Sequence, residues 1–416
     1  MSKRLLKRFL GRVIERGTLS MTFADGEVVT MGQAESGFPD VALRLTDRKV
    51  PRDILLDPRL GAAEAYMDGR LQLTRGGIME LIQLLRSNAP FERGGQLRAP
   101  SLVKRLRNRA AFAMESVNNS VGSKRNVAHH YDIGNDLYRL MLDPEHMQYS
   151  CSYWDDGTET LGAAQEAKLA HIAAKLALSG GQNVLDIGCG WGGMAIYLAR
   201  HFDVRVLGIT LSEEQLALAR DRAQAAGVAD RVTFELIDYR DLPLRGDRFN
   251  RIVSVGMFEH VGRPQFETFF RATANLLEDD GVMLVHTIGR IGGPGTTDAF
   301  TRKYIFPGGY IPALSETLRA SEKSRLIHTD IETLRLHYAK TLRAWYANCE
   351  ANREAIVAMH DERFYRMWTF YLAGATAAFE WGGMVNYQIQ FARDRRALPV
   401  TRDYMAVAEG KLLAER

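Results

Sequence analysis

The stretch that decides the fold runs from Val184 to Gly193 and reads VLDIGCGWGG. Its first residues are suited to a buried strand, and four glycines follow within six residues. Glycine at such a turn tolerates a positive φ angle and lets a ligand approach the backbone at the start of the next helix. The stretch therefore predicts a strand, a ligand-binding turn and a helix, in that order.

Three details around the glycines indicate which ligand this turn binds. Asp186 lies on the strand just before them, and the spacing Asp-x-Gly-x-Gly differs from the Gly-x-Gly-x-x-Gly of dinucleotide sites. No acidic residue closes the next strand at Thr210, where a NAD site places a carboxylate for the ribose. These details favour S-adenosylmethionine, with Asp186, Gly188 and Gly190 in its site.

Strand and helix patterns alternate on both sides of this stretch. Short apolar runs predict strands at 184–187, 205–210, 232–238, 252–255 and 282–288, and longer runs predict helices at 213–226 and 264–277. The alternation predicts an α/β fold with a mostly parallel sheet covered on both faces. Ligands bind at the carboxyl ends of such strands, which adds these cofactor candidates: Thr210, Leu211, Gln215, Asp238, Tyr239 and Val255. The Asp238 carboxylate can accept a hydrogen bond from the adenine amine.

The patterns divide the chain into a smaller α+β domain at 1–95, a basic linker at 96–126 and a catalytic domain at 127–416. In the first domain they predict strands at 18–23, 28–31 and 41–45, a hairpin turn at Asp25-Gly26 and helices at 61–66 and 77–85. Near the end of the chain they predict helices at 335–353 and 362–379 and a strand at 384–391. Residues 289–330 are rich in Gly and Pro and predict a long functional loop.

Composition limits the class of protein. The chain has 416 residues, 46% of them hydrophobic and 25% charged, which is ordinary for a globular protein. No run approaches the ~20 apolar residues of a membrane-spanning helix. Charges interrupt the apolar residues near the N-terminus, so we expect no signal peptide and a cytoplasmic protein. Three cysteines without a Cys-x-x-Cys spacing predict neither a disulfide framework nor a metal site.

The first sixteen residues carry six basic side chains and one acidic side chain. Leu6, Phe9, Leu10 and Val13 recur at helical spacing beside that basic face. The pattern is typical of a helix lying on an anionic membrane surface. It is equally typical of a helix that packs on its own domain. Nucleic acid is a third candidate partner, but no zinc-finger spacing or RNP-type aromatic run supports it, and we expect none.

Further motifs extend through most of the chain and are far more specific together than the glycine turn alone. They are GAAEAYMDG at 61–69, HYDIGND at 130–136, QYSCSYW at 148–154, GITLS at 208–212, SVGMFEHVG at 254–262, HTI at 286–288, FPGGY at 306–310 and HYAKTLRAW at 337–345. With them the chain resembles the cyclopropane-fatty-acyl-phospholipid synthases, which are related to the mycolic-acid cyclopropane synthases and methyltransferases. The resemblance implies a class I S-adenosylmethionine-dependent methyltransferase fold, Rossmann-like, behind a lipid-handling N-terminal domain.

The resemblance also implies site residues and partners. It places S-adenosylmethionine near Tyr131, Tyr149, Ser150, Gly188, Gly190, Thr210, Leu211, Gln215, Asp238, Tyr239 and Val255. It implies a bicarbonate ion as catalytic base, held by Cys151, Glu259, His286, Ile288 and Tyr338, with Cys151 and Ile288 contributing main chain. It further implies a homodimer that acts on unsaturated phospholipid at the inner face of the membrane.

The implied reaction transfers a methylene group to a cis double bond and closes a cyclopropane. The alkene attacks a methyl carbon, which leaves positive charge on the acyl chain, and a base then removes a proton from the former methyl group. Negative charge or aromatic faces stabilise such a cation, and Tyr310 and Tyr338 are the aromatics expected to face it. His286 and Tyr338 can donate hydrogen bonds to bicarbonate, while Glu259 can accept one or orient His286.

One position departs from the resembled family. Its members carry a cysteine near the middle of the helix that matches 364–379, and Ala375 occupies that place here. Cys349 lies on another segment and is no substitute by position. The change leaves open a methyl-branched or methylene-bearing acyl product, in which a different proton is lost. A lipid-binding protein without chemistry and a small-molecule methyltransferase are further alternatives, against which the Glu259, His286 and Tyr338 set and the basic N-terminal domain argue.

Overall fold

The computed structural model describes residues 1–94 and 134–414. Their contacts divide them into two units. The described residues of the first unit are 1–94, 297–307 and 342–383, and those of the second are 134–296, 308–341 and 384–414. Over these ranges no helix combines the length and the apolar character needed to cross a membrane.

The secondary structure of the described residues is as follows. The strands are β1 Gly17–Thr22, β2 Val28–Gln33, β3 Asp40–Leu45, β4 Leu71–Arg75, β5 Gln182–Ile187, β6 Val204–Thr210, β7 Val232–Leu236, β8 Phe249–Val255, β9 Leu277–Arg290, β10 Ile327–Leu334 and β11 Met384–Ala392. The helices are α1 Ser2–Val13, α2 Val50–Leu56, α3 Pro58–Met67, α4 Ile78–Ser87, α5 Asn135–Met141, α6 Leu161–Leu176, α7 Gly193–His201, α8 Glu213–Ala225, α9 Leu242–Arg245, α10 Phe258–Val261, α11 Phe266–Leu276, α12 Leu314–Glu322, α13 His337–Ala351, α14 Arg353–Met359, α15 Glu362–Glu380 and α16 Asp403–Ala414.

The first unit contains a four-stranded sheet in the order β2-β1-β3-β4. β1 and β2 pair antiparallel, as predicted, and the turn between them contains Gly26 with a φ angle of 86°. β3 runs parallel to β1 and antiparallel to β4. Helix α15, from late in the chain, packs against α3 and α4 within this unit.

The apolar stripe of α1 faces its own unit. Leu6 and Leu10 are buried, whereas Leu5 is exposed. Lys3 forms ion pairs with Asp25 and Glu27 at the β1–β2 turn. The sequence left open whether this apolar stripe lies on a membrane surface or packs on its own domain. The structure shows that it packs on its own domain.

The second unit contains a seven-stranded sheet in the order β10-β11-β9-β8-β5-β6-β7. From β9 to β7 the neighbouring strands run parallel. β11 runs antiparallel to both of its neighbours. This agrees with the predicted α/β architecture and mostly parallel sheet.

Successive residues of β5 point to opposite faces of this sheet, and each face is covered by helices. Leu185 and Ile187 belong to a buried cluster with Phe258 and Phe269. Val184 belongs to another cluster, with residues of α6 and α7 such as Leu169. Asp186 lies on the same face as Val184, since side chains two apart in a strand share a face. A carboxyl group thus lies on the sheet face that packs against α6 and α7.

Two predictions about the chain's organisation differ from the structure. Residues 297–307 and 342–383, which the sequence assigned to the catalytic domain, belong to the first unit because α15 packs on α3 and α4. The stretch 289–330 is not one loop, because it contains α12 and the start of β10. Gly and Pro are concentrated in its first half, so the helix that follows was not predicted. The predicted linker at 96–126 lies outside the described residues.

Candidate active site

The predicted turn after β5 has the geometry that its glycines indicated. Gly188, Gly190 and Gly192 all have positive φ angles, of 81°, 53° and 79°. A Cβ atom added to Gly192 would lie 2.5 Å from the Phe234 ring, so that glycine is required by close packing. A Cβ added to Gly190 would meet nothing within 4 Å. Gly190 therefore borders open space, as expected of backbone that receives a ligand.

The space in front of Gly190 is a cavity at the carboxyl ends of the parallel strands. Every described residue predicted to bind the cofactor lines it: Tyr149, Ser150, Asp186, Gly188, Gly190, Thr210, Leu211, Gln215, Asp238, Tyr239 and Val255. Tyr131 lies outside the described residues. The structure thus brings together residues from four separate strand ends and from the segment before α6.

Asp186 is the buried acid of this cavity. It is 2% exposed, and its Oδ2 has no hydrogen-bond partner among the described residues. Burial raises the pKa of Asp186 to about 7, with the positive charge of Lys168 opposing the rise. A buried carboxyl oxygen without a donor is costly, so it fits a site completed by a cationic ligand.

Lys168 contacts residues that line this cavity, and it was not predicted as a site residue. It is fully buried, and its Nζ donates to Gln148 Oε1 at 2.5 Å and to Ser150 Oγ at 3.0 Å. Burial lowers the pKa of Lys168 to about 7. Gln165 on the same helix donates to the carbonyls of Gln148 and Ser150. These two side chains of α6 therefore hold the segment that supplies Ser150 to the cavity.

A sequence signal for Lys168 existed. Apart from Glu166, the polar residues of α6 recur at intervals of three and four, which places them on one helix face: Gln165, Lys168, His171 and Lys175. All four are buried. Polar groups on one side of a buried helix indicate a polar site facing them. The cavity residues Met147, Trp191, Met257 and His260 were also missed, since nothing distinguishes them locally from core.

Two other cavity residues are held by internal contacts. Arg240 Nε donates to Asp238 Oδ1 at 2.8 Å, so the carboxylate expected to accept from adenine already has a partner. Thr210 Oγ1 donates to Gln215 Oε1 at 2.9 Å. Both contacts order the cavity rim.

Glu259 is the buried acid of the predicted base site. It lies on α10, directly after the strand end at Val255, and its neighbours Met257 and His260 line the cavity. Its Oε1 accepts the backbone N–H of Ile288 at 2.6 Å, and its Oε2 has no partner among the described residues. Burial raises the pKa of Glu259 to about 7. The group can therefore both accept and give up a proton near neutral pH.

His286 is held by the neighbouring strand rather than by Glu259. Gln388 lies directly opposite it on β11, and the amide nitrogen of Gln388 is 3.2 Å from Nδ1. The amide of Asn386 is 3.5 Å from Nε2. Burial lowers the pKa of His286 well below its usual value, so the ring is neutral. The prediction that Glu259 orients His286 has no support in these contacts.

Of the remaining predicted base-site residues, Cys151 and Tyr338 are buried and Ile288 is partly exposed. The Cys151 thiol donates to the carbonyl of Ser152, and burial raises its pKa well above the usual range, so it stays protonated. Ile288 N–H is taken by Glu259. Tyr338 is buried on α13. Tyr310 donates its hydroxyl to Glu316, 2.7 Å away, rather than to any group of the base site.

Among the described residues, no group of three His, Cys, Asp or Glu side chains is arranged to hold a metal ion. Burial raises the pKa of the Cys349 thiol to about 12, so this cysteine is also inert. Ala375 is partly exposed on α15. No thiol therefore replaces the family cysteine at that place.

Comparisons with known proteins identify the relatives of this chain. The family model described as mycolic acid cyclopropane synthetase matches residues 119–389. The chain is 42% identical over 289 residues to a probable fatty acid methyltransferase from Pseudomonas putida, covering 67% of this chain and 73% of that protein. It is 38% identical over 367 residues to the cyclopropane-fatty-acyl-phospholipid synthase of Escherichia coli strain K12, covering 87% and 90% of the two chains.

A solved structure extends the likeness to the fold. Mycolic acid cyclopropane synthase CmaA1, complexed with SAH and CTAB, superposes with a TM-score of 0.61 at 32% identity, over 65% of this chain and 98% of that chain. SAH is what remains of S-adenosylmethionine once its methyl group has been transferred. The predicted class I, Rossmann-like methyltransferase fold is thereby confirmed.

Proposed function

Since the chain belongs to the mycolic acid cyclopropane synthetase family and is an S-adenosylmethionine-dependent methyltransferase, we propose that it closes a cyclopropane ring on the cis double bond of an unsaturated phospholipid acyl chain. S-adenosylmethionine supplies the one-carbon group. The observation that carries the proposal is Glu259, a buried carboxyl with one unpartnered oxygen directly beside the cavity wall formed by Met257 and His260.

The cofactor site has the features that S-adenosylmethionine requires. Gly190 leaves room for the ligand against the backbone. Asp186 offers an unpartnered carboxyl oxygen to a ligand of positive charge. Lys168 donates to the Ser150 hydroxyl and Gln165 donates to the Ser150 carbonyl, which holds this part of the cavity wall in place. We propose that these groups bind and orient the cofactor, with Thr210 and Gln215 at the rim.

The base that removes the proton is proposed to be bicarbonate. Glu259 Oε2 has no partner among the described residues and can accept a hydrogen bond from the hydroxyl of that ion. Because the pKa of Glu259 is about 7, the carboxyl can gain or lose a proton as the ion does. The neutral His286 ring carries one N–H, which can donate a hydrogen bond to the ion. We propose Glu259 as the principal contact, with Cys151, His286, Ile288 and Tyr338 around the ion.

Bicarbonate dependence has its own test. Turnover should fall when carbonate is removed from the buffer and return when bicarbonate is restored. Acetate at equal ionic strength is the control, since it lacks the hydroxyl that Glu259 would accept. An enzyme indifferent to both treatments would exclude bicarbonate as the base.

A second product is favoured by one specific observation. The family cysteine is replaced by Ala375, and no thiol takes its place on α15. The relative from Pseudomonas putida is described as a probable fatty acid methyltransferase. If the acyl chain lies differently relative to the base, a proton from a neighbouring carbon is lost, and the electrons of that C–H bond form a double bond in a methyl-branched chain.

Contact with an anionic membrane surface at the inner face of the membrane is also proposed. Lys3, Lys7 and Arg16 are engaged in ion pairs. The exposed residues Arg4, Arg8 and Arg12 recur every four positions on α1 and form one row. Each could contribute about 1 kcal/mol at an anionic surface. Replacing the row by Gln should weaken co-sedimentation with anionic vesicles, and equal binding to neutral vesicles would contradict the docking role.

A homodimer is proposed as well, and light scattering would test it.

The experiment for the main proposal uses purified protein, S-adenosylmethionine and phospholipid vesicles. Vesicles with cis-unsaturated chains should gain one carbon per double bond, and saturated vesicles, the matched control, should gain none. Proton NMR of the product should show cyclopropane methylene signals upfield of ordinary acyl signals. A one-carbon gain without those signals would establish the branched product instead.

A further inference from the structure

The His286 ring on β9 is contacted by two amide side chains of β11. Gln388 lies directly opposite His286 in the antiparallel pairing of these strands, and Asn386 lies opposite Ile288. Side chains two apart in a strand share a face, so both amides lie on the same face of the sheet as the ring. The two amides and the ring are almost fully buried. The ring is therefore oriented by protein groups rather than by water.

The two amides differ in how closely they approach the ring. The amide nitrogen of Gln388 is 3.2 Å from Nδ1, whereas that of Asn386 is 3.5 Å from Nε2. Hydrogen bonds in proteins typically have donor–acceptor distances of about 2.7–3.2 Å, so Gln388 makes the stronger contact. The oxygens of both amides have no partner among the described residues. The contact with Gln388 occupies Nδ1 and leaves Nε2 for a further partner.

The surroundings of His286 keep its ring neutral. Burial is the main reason that the pKa of His286 lies well below its usual value. Lys168, Lys175 and His171 on α6 lower that pKa further, and Glu332 on β10 opposes them. A neutral imidazole has one N–H and one accepting nitrogen, so its partner at Nδ1 decides which nitrogen carries the proton.

An amide at Nδ1 differs from the usual partners of a histidine. A carboxylate or a carbonyl can only accept, so it keeps the proton on Nδ1. The N–H of an amide can donate to Nδ1, and the proton is then on Nε2. An anion needs a donor from the ring, and only Nε2 can provide it while Gln388 occupies Nδ1.

We propose that Gln388 is a positioning residue whose amide donates to His286 Nδ1, so that the ring N–H is on Nε2 and donates to the bicarbonate ion. The inference rests on the proposed function. It adds to the base site a residue that acts on the ion through His286. The 3.2 Å contact made by the Gln388 nitrogen is the arrangement that this role requires.

The test combines nitrogen NMR of protein with isotope-labelled histidines and bicarbonate kinetics. Nitrogen chemical shifts distinguish a ring nitrogen that carries a proton from one that does not, and His286→Gln assigns the signals. In the wild-type protein the proton should be on Nε2. Gln388→Met keeps the length of the side chain but cannot donate, so its His286 signals should show a mixture of the two tautomers.

The kinetics of Gln388→Met should change in parallel. Its kcat should fall by about 10-fold to 100-fold, as expected when a group at the reaction site is slightly misplaced. The bicarbonate concentration for half-maximal rate should rise, and the affinity for S-adenosylmethionine should be unchanged. Gln390→Met is the matched control, since Gln390 is also buried on this strand but donates to the Lys175 carbonyl and the Tyr404 hydroxyl.

Several outcomes would overturn the proposal: a proton on Nδ1 in the wild-type protein, an unchanged tautomer in Gln388→Met, or equal rate losses in Gln388→Met and Gln390→Met. If Gln388→Met does not fold, Gln388→Glu carries the test. A carboxylate beside Nδ1 should raise the pKa of His286 and place protons on both ring nitrogens. An unchanged neutral ring in that variant would contradict the contact. The NMR signals do not depend on turnover, so an enzyme indifferent to bicarbonate would reveal failure of the proposed function separately.

Discussion

The cofactor cavity and the surroundings of Glu259 lie in the same unit, but their polar groups are in different states. In the cavity Gly190 faces open space and Asp186 Oδ2 has no partner among the described residues. Around Glu259 the Ile288 N–H is already taken, and the His286 ring lies against two amides of β11. The first region is shaped to receive a ligand. The second is held by protein groups, with Glu259 Oε2 left for an incoming partner.

The two regions are determined by different parts of the sequence. The cavity depends mainly on the backbone, namely on the glycines of the turn after β5 and on the carboxyl ends of the parallel strands. The surroundings of Glu259 depend on side chains from β9 and β11, strands about 100 residues apart in the chain. Such pairs form only when the sheet is complete.

The largest effect should come from Glu259→Gln. If Glu259 holds or relays the proton, the amide should lower kcat by about 100-fold to 10,000-fold, the usual range for a general acid–base group. Cofactor affinity should be unchanged, because Gln can still accept the Ile288 N–H. Single-turnover kinetics and calorimetry measure the two quantities. Full activity in this variant would remove Glu259 from the chemistry.

A large effect on the other region should come from Gly190→Val. A branched side chain there would enter the open space in front of the turn and should weaken cofactor binding about 100-fold or more. Gly227→Val is the matched control, since Gly227 has a similar φ angle of 68° and open surroundings but does not line the cavity. If both variants fold and bind the cofactor equally, the cavity is misassigned.

These two regions also show what the sequence could predict. The fold class, the parallel strands and the cavity residues at the glycine turn and the strand ends could be predicted from local pattern. Tyr149 and Ser150 were expected only from the family resemblance. The contacts of His286 could not be predicted, because the sequence does not show which strand pairs with β11. Lys168 could have been found from the polar face of α6. The helix α12 was missed because Gly and Pro before it resembled a loop.

An intermediate effect is expected from pH on cofactor affinity. Burial raises the pKa of Asp186 to about 7 and lowers that of Lys168 to about 7. As pH rises from 6 to 8, Asp186 gains negative charge and Lys168 loses positive charge, so a cationic ligand should bind about 10-fold more tightly. The raised pKa of Asp186 also means that its contribution to the free energy of unfolding falls as pH rises from about 4 to about 7.

Calorimetry at pH 6, 7 and 8 checks this dependence. Asp186→Asn should flatten the profile as well as weaken binding, because only Lys168 then titrates. A wild-type affinity that is constant over this range would contradict the assigned role of the pair.

The smallest effect is expected from Cys151→Ala. The thiol is protonated and only donates to a carbonyl, so activity should change by less than about threefold, and thermal stability should fall slightly from the lost sulfur volume. A rate loss comparable to that of Glu259→Gln would show that the sulfur itself takes part.

Ring closure can be followed with S-adenosylmethionine that carries a fully deuterated methyl group and with vesicles of cis-unsaturated phospholipid. If the group around Glu259 removes a proton from the former methyl, the ring closes and the modified acyl chain retains two of the three deuterium atoms. Mass spectrometry of the released chains should show that species, with upfield ring signals in the unlabelled product. Retention of all three deuterium atoms would mean that a neighbouring proton is lost, and would contradict ring closure at this site.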